Sequence, residues 1–171
     1  MEKEQKLMLR MMAYESGVPG RIQHFIKVYT LAKTIGEGEK LPEDTMEILR
    51  TAALVHDIGI KPSLEKYGSD AGEYQEKEGP AVAEKMLAEL GYSESVISRV
   101  SYLIGHHHTY TAIDGADYQI LVEADFLVNL FEGEKSQDAV CSAYRKIFRT
   151  ETGREICRLM FGLAKEQEEN L

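Results

Sequence analysis

The chain has 171 residues, 43% of them hydrophobic and 29% charged, a composition that allows one globular domain with a full core. Its 29 acidic and 20 basic residues give a formal net charge of −9, which argues against binding to long nucleic acid, because that binding requires Lys and Arg to neutralise phosphates. No apolar run approaches the roughly 20 residues of a membrane span, and the charged N-terminal segment lacks a signal-peptide core, so we expect a cytoplasmic protein without a membrane partner.

Helical periodicity, rather than the alternation typical of strands, runs through most of the chain. Ser93 is a good N-cap, and Gly59 and Gly91 each follow a predicted helix. The spacing predicts helices over residues 3–15, 19–35, 42–58, 74–90, 93–107, 118–131, 136–148 and 151–165, with irregular stretches at 61–73 and 109–116.

These segments predict a single all-α domain over residues 1–171, a compact bundle of roughly seven helices. We expect its core over residues 20–132, with the N-terminal helix 3–15 and the C-terminal helices 136–165 packed on it. Oligomeric state stays open, because the N-terminal methionine- and leucine-rich row could pack on another copy of the chain as readily as on its own.

Titratable side chains lie on the apolar faces of four predicted helices. Residues three, four and seven apart share a helix face, and by this rule His24, His56, His107 and Asp125 each align with apolar neighbours. Asp57, directly after His56, adds a second carboxylate. A buried carboxylate is costly unless it is paired or bound to a metal, so a shared cation explains this set better than isolated core histidines do.

The types of donor restrict the metal. Imidazole and carboxylate together favour Fe, Mn, Zn, Co or Ni over Ca or Mg. Cys141 and Cys157 are not spaced as a metal-binding pair, and we expect both to be reduced thiols, which argues against a structural zinc site. The alternative is a helical protein whose core histidines are satisfied by hydrogen bonds, and elemental analysis distinguishes the two.

The order of these residues resembles a known pattern. His24, then His56-Asp57, then Asp125 match the H…HD…D signature of the HD superfamily, and the segments RIQH, AALVHDIGI and ILVEADFLVNL match it as well, so the resemblance covers roughly residues 20–132. It implies an all-α fold in which His24, His56, Asp57 and Asp125 bind a divalent metal. It also implies the hydrolysis of a small phosphorylated substrate, a nucleotide or a related phosphoester.

Some members of this superfamily bind two metals with additional histidines. His107 fits the later of these positions, with His106 as the next choice and His108 expected to face outward. The earlier position falls near Glu78, where no histidine stands. Glu78 could be a ligand, a general base or a surface residue, so the resemblance leaves open whether one or two ions bind.

Two cations lie close in sequence to the expected ligands. Arg21 precedes His24 by three residues on the same helical face, and Lys61 follows the HDIGI segment. Both are candidates for binding the substrate phosphate, with His106 as a further contact. The competing interpretation is that Arg21 and Lys61 are solvated surface charges.

The reaction that the resemblance implies begins with a water made acidic by the metal, which attacks phosphorus. Asp57 or Glu78 is expected to accept the proton of this water, and His107 is expected to act beside them.

Two other functions are compatible with the same residues. A few proteins of this superfamily use a mixed-valent di-iron centre to oxidise C–H bonds, and this chemistry requires two irons. A non-catalytic module that binds a metal and senses a nucleotide is the other alternative. Two irons per chain with oxygen uptake would indicate the oxygenase. Tight nucleotide binding without turnover would indicate the non-catalytic module.

Overall fold

The computed structural model describes residues 1–164, which contain nine α-helices and no strand. The predicted all-α fold class is therefore confirmed. In chain order the helices are α1 (Lys3–Tyr14), α2 (Pro19–Gly38), α3 (Glu43–Val55), α4 (Ile60–Tyr67), α5 (Gly72–Glu89), α6 (Glu94–Ile104), α7 (Ala116–Glu132), α8 (Gln137–Lys146) and α9 (Glu151–Phe161).

Short polar side chains define where three of these helices begin. The hydroxyl of Ser93 accepts a hydrogen bond from the Val96 amide at the start of α6, as the sequence predicted. Ser136 and Thr150 cap α8 and α9 in the same way. Each cap satisfies one of the backbone amides that have no partner within the first turn of a helix.

Helix α2 extends further than its glycines suggested. The sequence predicted an end near Ile35, yet the helix continues through Gly38. A Cβ atom on Gly36 would lie 2.5 Å from the Met46 sulfur, and one on Gly38 would collide with Thr152. These glycines therefore permit close packing of α2 on α3 and α9 instead of ending the helix.

A second difference lies directly after the His56-Asp57 pair. The sequence predicted an irregular stretch over residues 61–73, whereas α4 occupies Ile60–Tyr67 and ends at Gly68, whose φ is 64°. Pro62 is accommodated in the first turn, where a helix leaves backbone amides without an intrahelical acceptor.

The C-terminal helix is shorter than predicted. It ends at Phe161, followed by Gly162 in the left-handed conformation with φ 64°. The predicted end at Lys165 lies outside the described residues.

Helices α2, α3 and α7 pack on one another at the centre of the protein. Helix α6 packs on α3 and α5, α4 packs on α5, α1 covers α3, and α9 contacts α2, α7 and α8. The fully buried side chains include Leu49, Leu103 and Leu121, one from each of three different helices. Within residues 1–164, every helix is either too short or too polar to cross a bilayer.

Candidate metal centre

Three central helices place four titratable side chains at one point. His24 comes from the first half of α2, and Asp125 from the middle of α7. His56 is the C-cap of α3, and Asp57 follows it in the turn toward α4. His24, His56 and Asp125 are only 8%, 0% and 5% exposed, as their helical spacing predicted.

The nitrogen and oxygen atoms of this group converge closely. The Nε2 atom of His24 lies 3.2 Å from Nε2 of His56, 3.2 Å from Oδ1 of Asp125 and 3.4 Å from Oδ2 of Asp57. The Nε2 atom of His56 lies 3.4 Å from Oδ2 of Asp57 and 3.5 Å from Oδ1 of Asp125. His24, His56 and Asp57 thus form a group that could hold a metal ion, and Asp125 contacts both of its imidazoles.

The hydrogen bonds behind the imidazoles orient them for metal binding. The Nδ1 atom of His56 donates to the Ala53 carbonyl over 2.9 Å, since a carbonyl oxygen can only accept. In the neutral ring, Nε2 is then left without a proton and carries the lone pair that a metal needs. The Nδ1 atom of His24 faces the Glu132 carboxylate at 2.8 Å, so the same tautomer is favoured there.

The spacing also fits a shared cation. Two unprotonated Nε2 atoms 3.2 Å apart repel each other unless a proton or a cation lies between them. Donor atoms each about 2.1 Å from one ion are separated by about 3.0–3.5 Å at octahedral or tetrahedral angles. The distances among His24, His56, Asp57 and Asp125 fall in this range. The donor set is the nitrogen and oxygen mixture that divalent transition metals prefer.

Two residues of α7 that were not among the sequence-predicted site residues support the centre. Asn129 donates from Nδ2 to Asp125 Oδ1 over 2.8 Å. Glu132 holds His24 and also accepts from Lys27 over 2.7 Å. They follow Asp125 by four and seven residues, so the helix-face rule that identified Asp125 could have found both.

A second group shares Asp57 with the first. Asp57, His107 and His108 each offer a ligand atom to a common position, and His107 Nε2 lies 3.6 Å from Asp57 Oδ1. The Nδ1 atom of His107 donates to the Ile104 carbonyl over 2.8 Å, which leaves its Nε2 free as a ligand. The Nε2 atoms of His107 and His108 are both buried without a hydrogen-bond partner among the described residues, as ligand atoms would be.

The prediction that His108 faces outward was wrong. Helix α6 ends at Ile104, so residues 106–108 follow a turn and helical spacing no longer determines their directions. Gly72 leaves room for the inward ring, because a Cβ atom there would lie 2.9 Å from the His108 ring. His106 instead stacks on Tyr102, with ring centroids 4.2 Å apart, and belongs to neither ligand group.

The local charges set the protonation of these groups. Burial opposes ionisation of Asp57 and Asp125, but the neighbouring imidazoles hold the pKa of both carboxyls below its usual range. Burial also opposes protonation of His56, yet the adjacent aspartates raise its pKa. Burial, followed by the nearby His107, lowers the pKa of His108 to about 4, so this ring is neutral at pH 7. Ionised carboxylates and a neutral imidazole are the forms that bind metals.

The two predicted phosphate contacts lie beside the α1–α2 connection. The Nε atom of Arg21 pairs with Glu15 Oε2 at 3.1 Å, and its Nη1 is buried without a hydrogen-bond partner among the described residues. Lys61 Nζ donates to the Tyr14 carbonyl over 3.3 Å and lies 4.9 Å from the Tyr14 ring centroid. After burial, the charges of Arg21, Lys61 and Asp57 all affect the pKa of Glu15, so all three lie within electrostatic range of this carboxyl.

Glu78 lies at the contact between α4 and α5, outside both ligand groups. It accepts hydrogen bonds from Lys66 over 2.5 Å and from Tyr67 over 2.8 Å. These two donors lower the pKa of its carboxyl. Of the uses that the sequence left open for Glu78, its contacts favour a residue that ties α4 to α5.

Comparisons with known proteins agree with the fold. A crystal structure of a predicted HD superfamily hydrolase from an uncultured Thermotogales bacterium superposes with a TM-score of 0.66 and 24% sequence identity. The match covers 92% of this chain and 84% of that one. A search of the curated proteins found no match. The family model for the HD domain matches residues 21–159, and the chain therefore belongs to the HD-domain family, whose members are generally metal-dependent hydrolases.

Proposed function

We propose that this protein is a metal-dependent phosphohydrolase acting on a small phosphorylated substrate, a nucleotide or a related phosphoester. The observation that carries the proposal is the convergence of His24, His56, Asp57 and Asp125, with the lone pairs of both imidazoles aimed at the carboxylates. We assign the metal to these four residues.

The chemistry follows from the parts of the site. A bound divalent ion supplies Lewis acidity, which polarises a phosphoryl oxygen and acidifies the attacking water. The Asp57 side chain is 23% exposed, whereas that of Asp125 is more deeply buried, so Asp57 is the carboxylate of the centre that solvent water reaches more easily. We assign proton transfer from the water to Asp57.

Arg21 is the candidate phosphate contact that the structure supports best. Its Nη1 group is a donor without a partner among the described residues, and a phosphoryl oxygen would satisfy it. Lys61 provides a second positive charge four residues after Asp57, although its ammonium is already engaged by the Tyr14 carbonyl and ring. In a chain of net charge −9, these two cations provide local positive charge that can attract an anionic substrate.

Substitution of Asp57 tests the proposal. The unsubstituted protein, Asp57→Ala and the control Asp70→Ala are loaded with Mn²⁺, Fe²⁺ or Co²⁺, analysed for bound metal, and assayed for phosphate release from a panel of nucleotides and simple phosphoesters. Asp70 is exposed and makes no side-chain contact that supports the site. We expect Asp57→Ala to lose metal and activity while Asp70→Ala keeps both. Normal metal content and normal activity in Asp57→Ala would refute the proposal.

The Asp57–His107–His108 group supports a second candidate, a di-iron oxygenase. This chemistry requires two ions, and the two groups that share Asp57 provide six different ligand side chains once Asp125 is included. Two irons per chain and substrate-dependent oxygen uptake, without phosphate release from any phosphoester, would favour this candidate over the hydrolase.

A further inference from the structure

The loop between α6 and α7 carries a tyrosine at the edge of the candidate metal centre. Tyr110 follows His108 by two residues, and its ring packs on Phe126, the residue directly after Asp125. The centroids of the two rings are 5.2 Å apart at an angle of 68°. Both aromatic residues therefore lie close in sequence to residues that we assign to the two ligand groups.

The Tyr110 side chain is available to a ligand. The residue is 41% exposed, and its hydroxyl forms no hydrogen bond with any of the described residues. Because the two rings meet edge to face, Phe126 can cover at most one face of the Tyr110 ring. Burial, followed by the charge of Asp125, raises the pKa of the phenol, so the Asp125 carboxylate lies within electrostatic range of Tyr110.

The loop that holds Tyr110 is anchored at several points. The Tyr118 hydroxyl donates to the carbonyls of His106 and Thr109. The Glu76 carboxylate accepts from the His108 amide over 3.0 Å and from the Thr109 hydroxyl over 3.1 Å. The backbone before Tyr110 is therefore held in place without a ligand. A ligand that contacts the Tyr110 ring does not have to order this part of the loop.

The other tyrosines near the irregular stretches are already engaged. Tyr67 stacks on Tyr74 with ring centroids 4.2 Å apart and donates to Glu78, and Lys77 lies 5.5 Å from its ring centroid. Tyr102 stacks on His106. Tyr110 differs from them because it has both an open ring face and an unbonded hydroxyl.

We propose that Tyr110, supported by Phe126, is the surface on which an aromatic ring of the substrate's leaving group stacks. The inference rests on the proposed function and narrows its substrate class to nucleoside phosphates and other phosphoesters that carry an aromatic ring. Stacking on a tyrosine tolerates different bases, because every base presents a π-face. Tyr110 is thus a specificity residue, which acts on the leaving group and leaves the phosphoryl chemistry to the metal ligands.

The test compares AMP with ribose 5-phosphate, in which a hydroxyl takes the place of adenine at C1. Phosphate release and calorimetric binding are measured on the metal-loaded full chain and on Tyr110→Phe, Tyr110→Leu and the control Tyr67→Leu. Tyr110→Phe keeps the aromatic ring, whereas Tyr110→Leu keeps an apolar contact with Phe126 and removes the π-face. Circular dichroism and the melting temperature establish that each variant is folded.

We expect the unsubstituted protein to prefer AMP, and Tyr110→Leu to weaken AMP binding and raise its KM about tenfold while ribose 5-phosphate changes less than about twofold. Tyr110→Phe and Tyr67→Leu should keep the preference. Equal affinity of the unsubstituted protein for both compounds, failure to bind either of them, or an unchanged preference in Tyr110→Leu would overturn the inference.

The same measurements separate this inference from the proposed function. A protein that releases phosphate from both compounds with equal efficiency remains a phosphohydrolase but has no aromatic subsite at Tyr110. A protein that binds AMP through Tyr110 without releasing phosphate retains the subsite, and the hydrolytic function then fails.

Discussion

The hydrogen bond between Glu132 and His24 allows a prediction about metal affinity that avoids changing any assigned ligand. In Glu132→Gln the shape of the side chain is kept, but the carboxylate that accepts from His24 Nδ1 over 2.8 Å is replaced by a neutral amide. A carboxylate behind a metal-binding imidazole fixes the ring and increases its basicity. The substitution should therefore weaken metal binding while the ligand set stays complete.

The expected loss of metal affinity follows from the removal of one hydrogen-bond partner of a metal-binding imidazole. Loss of one such supporting partner lowers metal affinity about 10–100-fold. At a free metal concentration of about 100 times the dissociation constant, binding stabilises the unsubstituted protein by about 2.7 kcal/mol. A Kd that is about 30-fold weaker reduces this gain to about 0.9 kcal/mol. For a domain of this size the metal-induced rise in melting temperature should fall from about 5–10 °C to about 2–3 °C.

Thermal unfolding with and without Mn²⁺ measures this difference. The metal-free comparison accounts for the lost ion pair with Lys27, a partly exposed contact worth about 0–1 kcal/mol. Glu134→Gln is the matched control, because Glu134 is exposed and lies two residues further along the chain. An equal metal-induced shift in Glu132→Gln and the unsubstituted protein would refute the assigned role of Glu132, and with it the use of His24 Nε2 as a ligand.

Two further substitutions test other parts of the structure. Gly72→Ala places a Cβ atom 2.9 Å from the His108 ring, so we expect the free energy of unfolding to fall by about 1–3 kcal/mol. We also expect elemental analysis to find less metal per chain, and an unchanged metal content would show that His108 is not needed as a ligand. Burial raises the pKa of Glu15 above its unfolded value of 4.5 despite Arg21, so its ionisation lowers stability as the pH rises from about 4.5 through the folded-state pKa. Glu15→Gln should therefore increase the urea midpoint more at pH 7 than at pH 4, and a gain that is larger at pH 4 would contradict this reasoning.

The sequence located the central residues because their directions depend on spacing within a single helix. His24 and Asp125 each share a face with apolar neighbours of their own helix, and this face is buried in the structure. Ser93 was identified as an N-cap for the same local reason. Glu132 follows the same rule, seven residues after Asp125, but an acidic residue near the end of a helix gives no sign of its partner until α2 is packed against α7.

The features that the sequence could not establish depend on contacts between elements. The inward direction of His108 arises where α6 has ended, and the room for it is provided by Gly72 of another helix. Glu78 pairs with Lys66 because α4 forms where the sequence predicted an irregular stretch.

By itself, the sequence determined the all-α class, the helices that carry the candidate ligands and the faces that turn them inward, since helical periodicity is a local property of the chain. Only the tertiary structure decided which two of the three consecutive histidines join Asp57, which residues support the imidazoles, and that Tyr110 packs on Phe126. Those relations join residues from different helices and loops, and their distances exist only after the helices have packed.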